Sequence, residues 1–443
     1  MLRIVLLLLV LAWASIALWS SAKPMPPGTR IASLPARLAE SQVTLIHDSA
    51  QHREILAREL EAIDRADELI VLDQVPVARA IGQRLLLRKR ERPNVKIVLV
   101  SDPLDETRGG TPAEYLSALE QAGVIVARAR LDRLRDVTAL YSAFWRLTVS
   151  WWSDAFDEPA GGLRSALRGF NLKRDQRALF VADDGSGGFV SIIPAGIGGD
   201  LALQIAGGLA RDMVASELQI AAWSTNDDRL PLPPPPARYH GLGSIDARFL
   251  TEGAIRGALV DALAAAREGD EVSLAARALS DRPLIVAALG AAAHGARVRV
   301  LLDPDAQPNR AVAEELSGEG AGHIEVRWSG RAADPAALLM VHRRGELWAS
   351  VGAADYTRLS LGDLNLEAAV ELRLPERAMA AHALDDYFAQ VWSGAARHAE
   401  DPRSGYWRYR FMEAAGLAAY RSLLTVSVAS ATILPSAVST ASL

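Results

Sequence analysis

From Val43 onward, short runs of aliphatic residues alternate with longer segments whose apolar positions recur every three or four residues. Val43-Thr44-Leu45-Ile46 predicts a strand, Leu56, Leu60 and Ile63 share one face of a predicted helix, and Leu69-Ile70-Val71-Leu72 predicts a second strand. A helical segment over 78–89 leads to Val95-Lys96-Ile97-Val98-Leu99-Val100, closed by Asp102-Pro103. Such alternation predicts an α/β fold, a mixed sheet flanked by helices.

The same order returns later. Phe249-Leu250 precedes Ile255, Leu259 and Leu263 at helical spacing, followed by the strand Val272-Ser273-Leu274-Ala275. A helix over 283–294 leads to Val298-Arg299-Val300-Leu301-Leu302, closed by Asp303-Pro304. Two units with matching order indicate a duplicated α/β domain. Between them, Leu230 to Pro236 holds five prolines and can form neither helix nor central strand. The expected organisation is a first domain over 40–228, a linker over 229–243 and a second domain over 244–420. Residues 430–443, uncharged and rich in Ser, Ala, Thr and Val, read as a disordered tail.

A different pattern opens the chain. Met1-Leu2-Arg3 precedes a charge-free apolar run from Ile4 to Trp19 that ends in Ser20-Ser21-Ala22, so residues 1–22 read as a signal peptide or a membrane anchor. The run is short of the roughly 20 residues that span a bilayer comfortably, and Ser20 and Ala22 suit a cleavage site. Trp13, Trp19 and Lys23 equally suit an interfacial anchor. Either reading implies a protein anchored at the inner membrane or exported to the periplasm. In the aromatic cluster Tyr141, Phe144, Trp145, Trp151 and Trp152, residues Tyr141, Trp145 and Trp152 read as ordinary core or lid packing, with contact of the cluster to a membrane surface or a lipid-sized pocket as the alternative.

Composition narrows the chemistry. With 443 residues the chain accommodates two domains, and its 50% hydrophobic content supplies cores for both. A formal net charge of -5 leaves no basic field for nucleic acid. The absence of cysteine excludes disulfides, thiolate nucleophiles and cysteine-type zinc sites.

Two segments carry a family resemblance. Asn171-Leu172-Lys173-Arg174-Asp175-Gln176-Arg177-Ala178, continuing through Asp183, resembles the strand of phospholipase D-like enzymes that bears H-x-K-x-x-x-x-D. Val351-Gly352-Ala353-Ala354-Asp355, continuing to Asn365-Leu366-Glu367, resembles the G-S-A-N stretch and downstream N-x-E that follow the second such motif. The segment from Tyr406 to Leu417 is similar to the C-terminal end of bacterial cardiolipin synthase-like members. In that family, the resemblance implies, a histidine of one half attacks phosphorus, the histidine of the other protonates the leaving alcohol, and lysines and asparagines neutralise the phosphoryl oxygens.

This sequence departs from that pattern in both halves. The first His slot holds Gln176 and the Lys slot Ala178, with Asp183 retained, while Pro194-Ala195-Gly196 stands where S-A-N is expected. In the second half the slots fall at Ala336-Ala337 for His and Leu338-Leu339 for Lys, here assigned to Ala337 and Leu339, with the Asp slot near Arg344. Ala353 and Asp355 replace Ser and Asn. No histidine is followed two positions later by lysine, and the four lysines all lie in the first half. An amide or a methyl group can neither take up phosphorus nor exchange a proton near neutral pH.

Lys173, Arg174, Arg177 and Arg358, with Asn365 and Glu367 in support, are the candidates for binding an anionic head group. Asp183 reads equally as a turn residue, and His342 as a replacement nucleophile lacks the lysine and asparagine that would accompany it. The expectation is a degenerate phospholipase D-like protein that needs no cofactor and no metal. It meets a phospholipid surface or an active phospholipase D-like relative, and no nucleic acid. The alternative is an active phosphatidyltransferase or phosphodiester hydrolase of the same fold.

Overall fold

Strands buried on both faces read as continuous aliphatic runs, and the chain uses them to build two sheets. The computed structural model describes residues 2–48, 53–73, 77–103, 113–148, 173–196, 199–235, 243–320, 322–330 and 335–397. Trp151, Trp152, the 430–443 tail and the segment from Tyr406 to Leu417 lie outside the described residues.

An N-terminal helix, α1 (Leu2–Ala22), precedes a short strand, β1 (Ala36–Leu38). The first half then contains β2 (Val43–His47), α2 (Arg53–Arg65), β3 (Leu69–Asp73), α3 (Arg79–Glu91), β4 (Lys96–Ser101), α4 (Ala113–Gln121) and β5 (Ile125–Arg128). It continues with α5 (Ala139–Leu147), β6 (Leu179–Asp183), β7 (Phe189–Pro194), β8 (Leu201–Ala206) and α6 (Gly208–Ser224). Its seven strands are ordered β2-β8-β7-β6-β3-β4-β5, with β3, β4 and β5 parallel and the rest antiparallel.

The second half repeats the plan with β9 (Ile245–Thr251), α7 (Gly253–Ala265), β10 (Glu271–Ala276), α8 (Arg282–Ala293), β11 (Arg297–Leu302), α9 (Gln307–Glu319) and β12 (Ile324–Trp328). The hairpin of β13 (Leu338–Arg343) and β14 (Glu346–Gly352) follows, then α10 (Arg358–Leu361), β15 (Ala368–Pro375) and α11 (Met379–Ser393). Its eight-stranded sheet runs β1-β9-β15-β14-β13-β10-β11-β12. This is the mixed α/β architecture with two helix-flanked sheets that the alternation predicts.

Side-chain alternation along each strand divides the interior into three cores. Val71, Val98, Val100 and Val181 of the first sheet meet Leu338, Met340, Ala349, Val351 and Val370 of the second in a central core, to which α6 and α11 add Leu218, Leu384 and Phe388. Ile70, Leu72, Ile97, Leu99 and Phe180 point outward onto α2, α3 and α4. Val272, Leu274, Leu339 and Val341 point outward onto α7, α8 and α9.

The segment between α1 and β2 straps the halves together. Its β1 pairs antiparallel with β9, with Ala36 opposite Ala247. The Arg30 amide donates to Glu252 Oε2 at 2.7 Å and the Ile31 amide to Thr251 Oγ1 at 2.8 Å. At the other end the Gly28 carbonyl accepts from Ser216 Oγ at 2.9 Å on α6.

Gly28 adopts φ +83°, and a Cβ there would lie 2.8 Å from the Ser216 carbonyl oxygen. Gly28→Ala is therefore expected to lower stability by about 2 kcal/mol, measured by urea unfolding, with secondary structure unchanged in far-UV circular dichroism.

Candidate active site between the two halves

The stretch leading into β6 crosses to the second half. The Gln176 amide donates to the Leu366 carbonyl at 2.9 Å, and the Leu366 amide donates to the Arg174 carbonyl at 2.9 Å. Asn365 completes the contact: its Oδ1 accepts from the Arg174 amide at 3.0 Å, while Nδ2 donates to Gln176 Oε1 at 3.1 Å and to Glu367 Oε1 at 3.5 Å. Gln176 of the first half thus meets Asn365 of the second, which in turn holds its near neighbour Glu367.

Beside them lies a buried ion cluster. Arg177 is fully buried. Its Nη1 donates to Glu217 Oε1 and Ser216 Oγ, both at 2.7 Å, and its Nη2 donates to Glu252 Oε1 at 2.7 Å and to the Gly28 carbonyl at 2.8 Å. Burial disfavours the cation, but Glu252 and Glu217 outweigh it and hold Arg177 charged. Glu252 Oε1 also accepts from the Glu367 amide at 3.1 Å.

Carboxyls outnumber cations here. Asp73, at the end of β3, lies fully buried against Asp175 and Glu217. Among the described residues, no N–H or hydroxyl donor reaches the carboxyl oxygens of Asp73 or Asp175. One guanidinium cannot balance so many carboxylates, so protons must be retained. Burial, then the Glu217 charge, pushes Asp175 up to about 8. Burial likewise raises Asp73 and Glu367 well above the ordinary carboxyl range.

The other sequence candidates are distributed differently. Lys173 is buried, its Nζ donating to the Leu131 and Leu134 carbonyls at 3.0 and 2.6 Å and pairing with Asp136. Burial lowers it to about 8 despite Asp136. Arg174 pairs with Asp102 at 3.2 Å. Neither Lys173 nor Arg177 presents its charge to an incoming phosphate, and of the four basic candidates Arg358 is the exposed one. Asp183, at the far end of β6, accepts from the amides of Asp67, Glu68 and Leu69 at 3.0, 2.8 and 2.7 Å, a purely structural use. Ala178 occupies a left-handed backbone conformation, φ 48°.

In the second half strand register separates the slot positions by face. Ala337 and Leu339 face the outer core, whereas Ala336 and Leu338, one step along, face the first sheet. Arg344 sits exposed in the two-residue turn Arg344-Gly345, both at positive φ, and takes no part in the contact. Asp355 pairs with Arg277.

Two imidazoles deserve placement. His47, at the end of β2, lies 3.6 Å from Asp200 Oδ2 and edge-on to Tyr387, whose hydroxyl donates to Asp200 Oδ1 at 2.9 Å. It is three strands from β6, about 14 Å at ordinary strand spacing. His342, toward the other end of β13, bonds Asp385 at 2.8 Å beside an open pocket of about 500 Å³ lined by Arg299, Arg343 and Arg344. The Asp385 hydrogen bond, aided by Glu376, raises its pKa. Sequence reading missed Asp73, Asp175, Glu217 and Glu252. The available signal was a lone carboxylate inside an apolar stretch, as in Ile70-Val71-Leu72-Asp73.

Removing Arg177 alone would strand two buried carboxylates. Arg177→Met is expected to cost about 3–5 kcal/mol in urea unfolding, and adding Glu217→Gln and Glu252→Gln should recover much of it. A carboxyl with a raised folded pKa contributes stability that declines as pH rises from its unfolded to its folded value. The melting temperature should therefore fall between about pH 4 and 8, and Asp175→Asn should flatten that slope.

Residues 259–392 match the family model described as cardiolipin synthase, phospholipase D-like domain. A search of curated proteins gives no match. Among solved structures, phosphatidylserine synthase from Haemophilus influenzae Rd KW20 is similar at 12% identity and TM-score 0.58, over 88% of this chain and 97% of that one. Nuc, a phospholipase D family member from Salmonella typhimurium, is similar at 14% identity and TM-score 0.29, over 35% of this chain and 99% of that one. Over nearly its whole length the chain thus shares the fold of the phosphatidylserine synthase structure, and within its second half residues 259–392 match a phospholipase D-like domain.

Proposed function

We propose that the chain is a membrane-attached phospholipase D-like protein without phosphodiester chemistry of its own, acting by binding a phospholipid head group or by pairing with an active relative. The supporting observation is the composition of the contact between the halves. Phosphoryl transfer through a covalent histidine needs one imidazole to attack, another to move a proton, and cations free to meet the phosphoryl oxygens. Here the contact is an amide pair, Gln176 with Asn365. The adjacent cation, Arg177, is already neutralised by Glu217 and Glu252.

Attachment rests on α1, whose residues Arg3–Ala22 are long and apolar enough to cross a membrane. An exposed Arg358 remains available to an anionic head group. A second reading, an enzyme with displaced machinery, is favoured by the His47–Asp200–Tyr387 cluster at the same end of the first sheet as Gln176.

One assay separates them. Full-length protein in detergent, incubated with cardiolipin, phosphatidylglycerol or bis(4-nitrophenyl) phosphate, is expected to yield no product, while phosphatidylglycerol raises its melting temperature. Gln176→His combined with Ala337→His should remain inactive, because position 337 faces the outer core. Turnover that disappears in His47→Ala or His342→Ala would establish the enzyme instead.

A further inference from the structure

An apolar leader that is to be removed is normally disposable, yet the end of α1 is built into the folded body. Ala17 and Ser20 are buried, and the Ser20 carbonyl accepts from the Asp136 amide at 3.1 Å. Lys23 is buried as well. Its Nζ donates to the Asp132 carbonyl at 2.5 Å and lies 3.7 Å from Asp136, and its own carbonyl accepts from Arg135 Nε at 3.3 Å. Asp136 is also held by Arg146 of α5 at 3.3 Å and by Lys173. Cleavage after Ala22 would place a free ammonium and a severed helix end inside this network.

Helix α5 packs along α1. Ser142 and Ala143 face inward, whereas Leu140, Phe144 and Leu147 are 60, 48 and 37% exposed at i, i+4 and i+7. That spacing places three large apolar side chains on one outward helix face. The exposed surface of α1 is apolar too, through Ile4 to Leu11 and Leu18. At their junction Trp19 is half exposed, with Arg146 5.1 Å and Lys23 5.4 Å from its ring centroid. An indole flanked by cations is suited to the boundary between acyl chains and head groups. From Leu2 to Trp19, α1 extends about 27 Å, close to a hydrocarbon core of about 30 Å.

We propose that α1 is retained and that α1 and α5 form one membrane-docking element, with α5 lying in the bilayer interface and Leu140, Phe144 and Leu147 against the acyl chains. The inference rests on the membrane attachment proposed above. The outward row of α5 continues the apolar surface of α1 and adjoins its indole-and-cation end, which is why a bilayer covers it rather than a second copy. Because Asp136 joins α1, α5 and Lys173, three residues before Gln176, the element would hold the contact between the halves at a set orientation to the membrane.

The chain contains no cysteine, so single cysteines can be introduced and labelled cleanly. Full-length Leu140→Cys, Phe144→Cys and Leu147→Cys, each carrying an environment-sensitive fluorophore, would be reconstituted in phosphatidylcholine and phosphatidylglycerol vesicles with brominated acyl chains. Met379→Cys, on an exposed site of α11, serves as control. The expected result is quenching at 140, 144 and 147 but not at 379, with an intact mass that still includes residues 1–22. Carbonate-resistant sedimentation reports the attachment separately. Protein that sediments without quenching at the three positions, or that forms a Phe144→Cys disulfide dimer instead, overturns the docking of α5 while leaving attachment standing. A mature mass beginning at Lys23 overturns retention, and failure to sediment overturns both readings.

Discussion

The Arg177 guanidinium, buried between the two halves, is the group on which the arrangement depends. It draws together Glu217 of the first half, Glu252 of the second and the Gly28 carbonyl of the strap, three chain segments that no local preference would bring near one another. A buried pair of this kind adds little net stability, because each ion loses its hydration. Its effect is on geometry: the charges must meet in this arrangement or remain unpaired, so the halves dock in one register.

That constraint bears on chemistry. Gln176 and Asn365 stand where the two halves touch, and the charge around them is consumed internally. Lys173, Arg174 and Arg177 are each already paired with a carboxylate. Protons retained by Asp73 and Asp175 relieve the excess negative charge without supplying a nucleophile. On the proposed reading, the fold persists for what its surfaces meet, and Asp136 provides the mechanical tie between its N-terminal helix and the Lys173 to Gln176 segment.

Much of this was readable from residue order. Alternating aliphatic runs and helical spacing announced two sheets, since burial on both faces demands continuous apolar strands, and the paired Asp102-Pro103 and Asp303-Pro304 endings exposed the duplication. The crossing of β1 into the second sheet was not readable, because three residues carry almost no periodic signal. Nor was the role of Arg177 or Lys173: a basic side chain in a degenerate motif looks like a phosphate ligand until its carboxylate neighbours, Glu217, Glu252 and Asp136, are brought to it from remote segments. Nor was the exposure of Phe144 beside α1, because which side of a helix meets its neighbour depends on where that neighbour is placed.

Residue types by themselves determined that no histidine and lysine share a motif, because side-chain reactivity is local and travels with the letter. Periodicity likewise determined the elements and their repetition, because strands and helices are short-range consequences of which positions are apolar. Only the tertiary structure decided which side of β13 faces the first sheet, which charges are already paired and which carboxyls keep their protons. Those properties depend on burial and on neighbours hundreds of residues away, and a carboxyl such as Asp175 has its proton affinity set by that surrounding medium.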